Sequence, residues 1–397
     1  MRVELRHVLP GAPPADGGQP ELRERLRAEI EAGGPITFAR FMSRALYEPG
    51  LGYYATSADR PARSGDFLTA PELHPVFGRA LAGQLDQLWQ HLGTPPAFTL
   101  REYGAGRGAL VSAVVEGLRR RDSALLGRLR YQPIDLPAQL AQVRQRLTTD
   151  RAADIVDDTA SDQPFSGCVI ANEYLDALPV QRVVMDAGRL REIHIDWRAG
   201  EFVEVAGDLS DARISNWFEQ RAISLAEGQR AEVNLAMLDW LSSLAEQLER
   251  GFVLIFDYGA TGSELYGPER AGGTLRAYRG QHVSSDALAD VGRRDITAHI
   301  DLDALEAGAT AAGFDVIGRT RQAEFLLGAG LDEAYAAARE ESDGDWPAAL
   351  ELRSAVRRLL DPRGMGGFAV VVLGRNVAQG VQLRGLERPA AAPAARA

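Results

Sequence analysis

The run AFTLREYGAGRGALVSAVVEGLRRR, residues 97–121, decides the fold. Its opening, AFTLREY, is a short, largely apolar run of strand length. Its close, GALVSAVVEGLRRR, sets apolar side chains at 110, 111, 114, 115 and 118, the spacing of one helix face. Arg119, Arg120 and Arg121 fall in the last turn of that helix, where the backbone dipole favours cations. Between the two lies Glu102-Tyr103-Gly104-Ala105-Gly106-Arg107-Gly108. Glycines at such a junction let the chain bend tightly and let a ligand come close to the helix N-terminus.

The pattern repeats outward. RYQPIDL (130–136) reads as a second strand, PAQLAQVRQRL (137–147) as a helix, ADIVDD (153–158) as a weaker strand and GCVIANE (167–173) as a strong one. Strands alternating with helices predict a parallel sheet. Residues 181–207 alternate without a helical period and carry turn glycines, which predicts an inserted β-meander. The helix LAMLDWLSSLAEQL, the strand GFVLIFDYG, and the strands AGFDVIGRTRQ and MGGFAVVVLGR around a helical stretch near 331–360 complete the body. Upstream, ELRERLRAEIE, ITFARFMSRALY and HPVFGRALAGQLDQLWQHL have helical spacing, and residues 49–72 form a long Gly/Pro/Ser loop holding Tyr53, Tyr54 and Phe67. The expected segments are a flexible 1–20, an N-terminal helical and lid region 21–95, a first core part 96–180, an inserted β-rich segment 181–235, the remaining core 236–376 and a low-complexity tail 377–397. No internal repeat is visible.

Composition excludes several chemistries. The 397 residues are 45% hydrophobic and 25% charged, an ordinary globular balance. All 44 basic residues are arginine, so no lysine exists for a pyridoxal Schiff base, a Walker-A loop or a kinase site. A net charge of −11 is ill suited to sheathing nucleic acid. The single cysteine, Cys168, sits in an apolar run, and no two histidines have HExxH spacing, so no metal site is expected. The chain shows neither a secretory h-region nor a membrane-length apolar run, and it reads as cytoplasmic with no membrane insertion.

The glycine motif fits both the ExGxGxG loop of methyltransferases and, with Ala109 last, a dinucleotide fingerprint. Charge separates the two ligands. A dinucleotide brings an anionic pyrophosphate to the turn, which Glu102 would repel, whereas S-adenosylmethionine brings an ammonium and a sulfonium. The other strands also finish in acceptors: Asp135, Asp157-Asp158, Asn172-Glu173 and Asp257. An acidic rim along the carboxyl edge of the sheet suits a cationic cofactor with a ribose diol, for which Asp135 is the natural acceptor.

The runs GPITFARFMSRALYEPGLGYY, GDFLTAPELHPVFG, EYGAGRGAL, ANEYLDALPVQRV, IFDYG, GTLRAY and DITAHIDLDAL, in that order over about residues 25–375, resemble the MidA-like family. These are bacterial relatives of the mitochondrial complex I assembly arginine methyltransferase. The resemblance implies a doubly wound α/β fold of the class I methyltransferase (Rossmann-like) type, with S-adenosyl-L-methionine as cofactor. It implies that Gly65, Asp66 and Phe67 close over the cofactor and that Glu102, Gly104, Gly106 and Gly108 hold its methionine portion. Asp135 would take the ribose, where the family more often has glutamate, and Asp158 the adenine side. Asn172 belongs to the same rim. Ala105 stands for a common proline, and Ala70 for a common serine, which removes any hydroxyl there.

The expected activity is protein arginine methylation, with a respiratory complex I subunit as the implied substrate. Carboxylates gripping two N–H groups of a guanidinium would orient the third nitrogen toward the methyl donor. Glu173 and Asp176, beside Asn172, are the residues expected to do so. Alternatively, Asn172 and Asp176 only cap a turn and a helix. His282, Asp295 and His299 are further groove candidates, the histidines as proton acceptors. Two other functions fit the sequence: an assembly chaperone that binds the cofactor without turning it over, and a nicotinamide oxidoreductase.

Overall fold

The computed structural model describes residues 18–57, 68–157, 163–279 and 282–387. The chain divides into two compact units, one of Thr69–Glu173, Ser243–Asp257 and Ala309–Ala397, the other of Met1–Leu68, Tyr174–Ser242 and Tyr258–Gly308. The division cuts across the expected segments: the stretch after Leu68 joins the parallel sheet, and Tyr258–Gly308 joins the meander.

The sheet unit is built on six strands: β1 (Phe98–Tyr103), β2 (Leu129–Ile134), β3 (Phe165–Asn172), β4 (Leu248–Asp257), β5 (Asp315–Arg321) and β6 (Ala369–Arg375). Their order is β5-β6-β4-β3-β1-β2. The strands β2, β1, β3 and β4 are parallel, and β6 runs antiparallel to both β4 and β5. The near-continuous apolar runs of β3, β4 and β6 follow from burial on both faces. Helices α1 (Val76–His91), α2 (Ala109–Arg120) and α3 (Pro137–Thr149) belong to this unit. A ladder of edge-on rings ties it together, with Phe77 of α1 on Phe256 of β4 at 5.7 Å and Phe256 on Phe325 at 5.3 Å.

Glycines let α1 and α2 approach closely. A Cβ on Gly117 would lie 2.7 Å from the Ala82 Cβ, and one on Gly78 would lie 2.6 Å from the Ala113 Cβ. Gly117→Val is therefore expected to overpack this contact and destabilise the sheet unit by about 1–3 kcal/mol, seen as a lower melting midpoint in calorimetry. An unchanged midpoint would show that the helices can part without cost.

Three expectations change. The described part of ADIVDD, residues 153–157, forms no strand: Ala153–Ile155 is a 3₁₀ turn and Val156 makes a single parallel bridge to Tyr131. The segment has only Ile155 and Val156 to bury beside three aspartates, too few to extend a ladder at the sheet's edge. The helical stretch near 331–360 is two helices, Leu331–Glu341 and Trp346–Leu360, the second capped by Asp345, and a further helix, Gln322–Ala329, precedes them and is set off by Gly330, left-handed at φ 109. In the expected tail, the Gly385 and Arg384 amides donate to the side chains of Gln84 and Gln87 at 2.9 and 3.0 Å, so this part packs on α1.

The second unit holds the meander as read: Gln181–Asp186, Arg189–Arg198 and Glu201–Gly207 pair antiparallel, joined by Ala187-Gly188 and Ala199-Gly200. All four turn residues have positive φ (51, 71, 51 and 86), the signature of tight turns matched to strand twist. Arg230–Val233 and Ile36–Thr37 extend this sheet. The helices Pro20–Gly33 and Phe38–Tyr47 supply Leu22, Leu26, Ile30, Phe38, Phe41 and Met42 to its core. Buried Arg182 lies over Phe38 and bonds to Glu232 at 3.2 Å and to Glu204, so its charge is compensated inside. Among the described residues no helix is long and apolar enough to cross a membrane.

Candidate functional site

At the carboxyl end of β1 the chain turns through Gly104, Gly106 and Gly108 at φ 71, 54 and 71. Side-chain-bearing residues rarely take this conformation, so the bend depends on glycine. Gly108 precedes α2 in the left-handed region and donates to the Ala105 carbonyl at 2.9 Å, leaving the first amides of α2 at the turn.

Glu102, only 4% exposed, lies just before this turn. Its Oε2 accepts from the Tyr131 hydroxyl at 2.7 Å. Burial pushes its pKa up to about 8; the Tyr131 bond works against this and the charge of Asp135 adds to it. Asp135, after β2, accepts from the Gly106 amide and from its neighbour Leu136, both at 2.7 Å, and so buckles the glycine turn to the next strand. Burial raises its pKa as well, against those two bonds. Each oxygen keeps a lone pair for a further donor.

The end of β3 carries Asn172 and Glu173. Glu173 takes the left-handed conformation, φ 50, and its amide donates to the Phe256 carbonyl of β4 at 2.8 Å. Its Oε1 accepts from the Ala70 amide at 3.2 Å and from the Asn172 Nδ2 at 3.1 Å. Glu173 Oε2 and Asn172 Oδ1 are buried and have no hydrogen-bond partner among the described residues. A buried acceptor left unmatched costs free energy that a ligand donor recovers. Burial pushes the Glu173 pKa up to about 8, with Asp257 and Glu72 adding and the Ala70 and Asn172 bonds opposing.

These two carboxyls give the protein a distinct pH response. Each ordinarily titrates near 4.5 but keeps its proton to about 8 when folded, so between those values the folded state binds more protons than the unfolded chain. Stability contributed by these groups is therefore greatest in mild acid and falls as pH rises toward 8. Calorimetric melting midpoints should fall over that window, and Glu173→Gln should flatten the slope. A slope unchanged by that substitution would show that Glu173 titrates normally.

The structure thus gathers Glu102, Gly104, Gly106, Gly108, Asp135, Asn172 and Glu173 at the carboxyl ends of β1, β2 and β3 in one unit. Gly65, Asp66, Phe67 and Asp158 lie outside the described residues. Asp176 belongs to the meander unit, where it is 5% exposed and its carbonyl accepts from the Ala298 amide at 2.9 Å. In that unit, too, Tyr54 donates to Asp295 Oδ1 at 2.7 Å and stacks on Tyr47, so these tyrosines serve packing. His299 is held neutral: burial and then Arg270 and Arg276 push its pKa down to about 4. Its Nδ1 lies 3.1 Å from an Arg270 N–H and its ring stacks on Tyr258, which makes it a poor proton acceptor. His282 is exposed. Sequence reading missed Tyr131 and the Ala70 amide. The register Glu102↔Pro133 puts Tyr131 diagonally across from Glu102, a relation that only the pairing of β1 with β2 reveals.

A buried acid that no cation among the described residues pairs with, at a glycine bend, fits an ammonium-bearing cofactor and opposes a pyrophosphate. Residues 80–320 match the family model described as "Putative S-adenosyl-L-methionine-dependent methyltransferase". The chain belongs to this family. Its cofactor is S-adenosylmethionine. Among its relatives, the fruit fly Drosophila melanogaster "Protein arginine methyltransferase NDUFAF7 homolog, mitochondrial" is 30% identical, aligned over 89% of this chain and 84% of the relative. The human "Protein arginine methyltransferase NDUFAF7, mitochondrial" is 25% identical over 91% and 85%. A Burkholderia thailandensis crystal structure bound to S-adenosyl-homocysteine superposes with a TM-score of 0.84 at 32% identity, covering 95% of this chain and 97% of that one. The class I methyltransferase fold implied by the family resemblance is the fold observed, and the family's cofactor argues against the nicotinamide reading.

Proposed function

We propose that this chain methylates an arginine side chain of a protein, with Glu173 as the group that receives the guanidinium. The observation that carries this reading is the pair of buried, unmatched acceptors Glu173 Oε2 and Asn172 Oδ1 at the end of β3. Two acceptors side by side suit a planar group with several N–H donors. The relatives named as protein arginine methyltransferases support the same choice.

The cofactor supplies an activated methyl group on a positively charged sulfur. The chain's own residues do the rest. Glu102 and the glycine bend hold the amino-acid end of the cofactor, and Asp135 accepts from its ribose. Asn172 Oδ1 and Glu173 Oε2 accept N–H bonds from the guanidinium and fix which nitrogen faces the methyl, so that positioning supplies most of the rate. Methyl transfer to a guanidinium releases one proton. The charge of the docked guanidinium favours the ionised form of Glu173, whose own proton passes to solvent as the arginine binds; Glu173 Oε2, on a carboxyl held near 8 by burial, is then the atom that takes the released proton. The resemblance drawn from the sequence points to a respiratory complex I subunit as the acceptor protein.

The test is incubation of the protein with methyl-labelled S-adenosylmethionine and cell extract, followed by mapping of the labelled residue, with Gly104→Val as control. Label on arginine of one polypeptide, absent with the control, is the expected result. Label on another residue type would overturn the arginine assignment. No label with a cofactor-binding protein would instead favour the assembly chaperone.

A further inference from the structure

We propose that Tyr131 is a positioning residue whose hydroxyl aims the Glu102 carboxylate at the cofactor's ammonium, and that cofactor binding expels a proton from that carboxyl. The inference rests on the reading of Glu102 as the ammonium acceptor.

The geometry is unusual for a buried acid. Glu102 is 4% exposed and Tyr131 fully buried, and the hydrogen bond between them is 2.7 Å long. The other titratable group bearing on Glu102 is Asp135, which is itself acidic, so among the described residues no cation offsets its charge. Isolated buried carboxylates are costly, and such a group holds a proton until a cation arrives. Burial and the neighbouring Glu102 push the Tyr131 hydroxyl well above its ordinary range, so it stays a donor at any working pH. A donor that cannot ionise fixes the orientation of one carboxyl oxygen and favours its charged form, leaving the other oxygen for an ammonium. When the ammonium binds, the O–H bond of Glu102 breaks and its proton passes to solvent; the carboxylate and the ammonium then neutralise each other.

Tyr131 also ties this arrangement to the fold. It lies on β2 with its backbone paired to Leu100 of β1, so the register that sets Glu102 opposite Pro133 also carries the hydroxyl to it. A phenylalanine at 131 would keep the ring and the packing and remove only the bond.

The test is titration calorimetry of the full chain with S-adenosylhomocysteine, in buffers that differ in protonation enthalpy, across a pH series. Wild-type protein should release about one proton per cofactor at neutral pH, with release fading above about 8. Methylthioadenosine, which lacks the ammonium, should bind without proton release. Tyr131→Phe should move the proton-release midpoint upward and weaken binding at neutral pH by about three- to tenfold, the size of one hydrogen bond, with recovery in alkali. Glu102→Gln should abolish proton release and weaken binding at every pH. A Tyr131→Phe profile that coincides with wild type, or one that only lowers the melting midpoint, overturns the role of Tyr131, as does proton release with methylthioadenosine. Glu102→Gln with wild-type affinity overturns the ammonium reading itself, which separates the two failures.

Discussion

Glu173→Gln should lower methyl transfer by roughly 10²- to 10³-fold while leaving S-adenosylhomocysteine affinity nearly unchanged. The amide keeps the side chain's volume and can still accept from the Ala70 amide and the Asn172 Nδ2 through one oxygen. The position of Oε2, now unmatched, would carry an N–H pair instead of an acceptor. A guanidinium meeting that group finds donor against donor, loses one of its anchoring bonds, and has no atom to take the departing proton. The substitution also removes a buried carboxyl held near 8, so the folded protein should be at least as stable as wild type in mild alkali. That stability separates lost chemistry from lost folding. The measurement is initial rate with labelled donor at saturating cofactor beside a calorimetric binding curve. Full turnover in the glutamine variant would remove Glu173 from the mechanism; lost cofactor affinity would relocate it to the cofactor site.

Much of the sheet unit was legible because its signals are local. The apolar run of GCVIANE, the glycine bend after AFTLREY and the apolar stripe of residues 110–118 each dictate their own element, and each appears where the pattern set it. The meander was equally plain, since alternation fixes strands and turn glycines fix their ends. What failed was weak locally. ADIVDD has charges where a ladder needs apolar side chains, and its place is decided by the backbone of Tyr131 across the edge. The site divides in the same way. Glu102, the glycines, Asp135 and Glu173 stand at strand ends, where a parallel sheet puts ligand-facing residues. The Tyr131 hydroxyl and the Ala70 amide act across the register or from another element, and residue spacing holds no trace of them. His299 shows the opposite error: a histidine reads as a base until its neighbours are known, and here burial and then Arg270 hold it neutral.

Gly104→Val should abolish measurable cofactor binding, a loss on the order of 10²-fold or more, and methyl transfer with it. Gly104 holds φ 71 while its amide donates to the Ile134 carbonyl at 2.9 Å, so the bend is set by both conformation and a bond to β2. A β-branched residue cannot take that φ without strain, and the least costly response is to open the turn. Opening it would carry Gly106 away from Asp135 and swing Glu102 and the first amides of α2 out of register, so one substitution would remove several of the proposed cofactor contacts at once. The strands β1 and β3 beside it are buried over nearly their whole length, so the sheet should survive with a modestly lowered melting midpoint. Gly127→Ala is the matched control: its Cβ would meet open space and its φ is not positive, and binding should be unaffected. The two variants therefore fail at different steps. Gly104→Val loses the cofactor, whereas Glu173→Gln keeps it and loses transfer. A Gly104→Val protein that binds S-adenosylhomocysteine as wild type does would show that the turn is not where the cofactor sits.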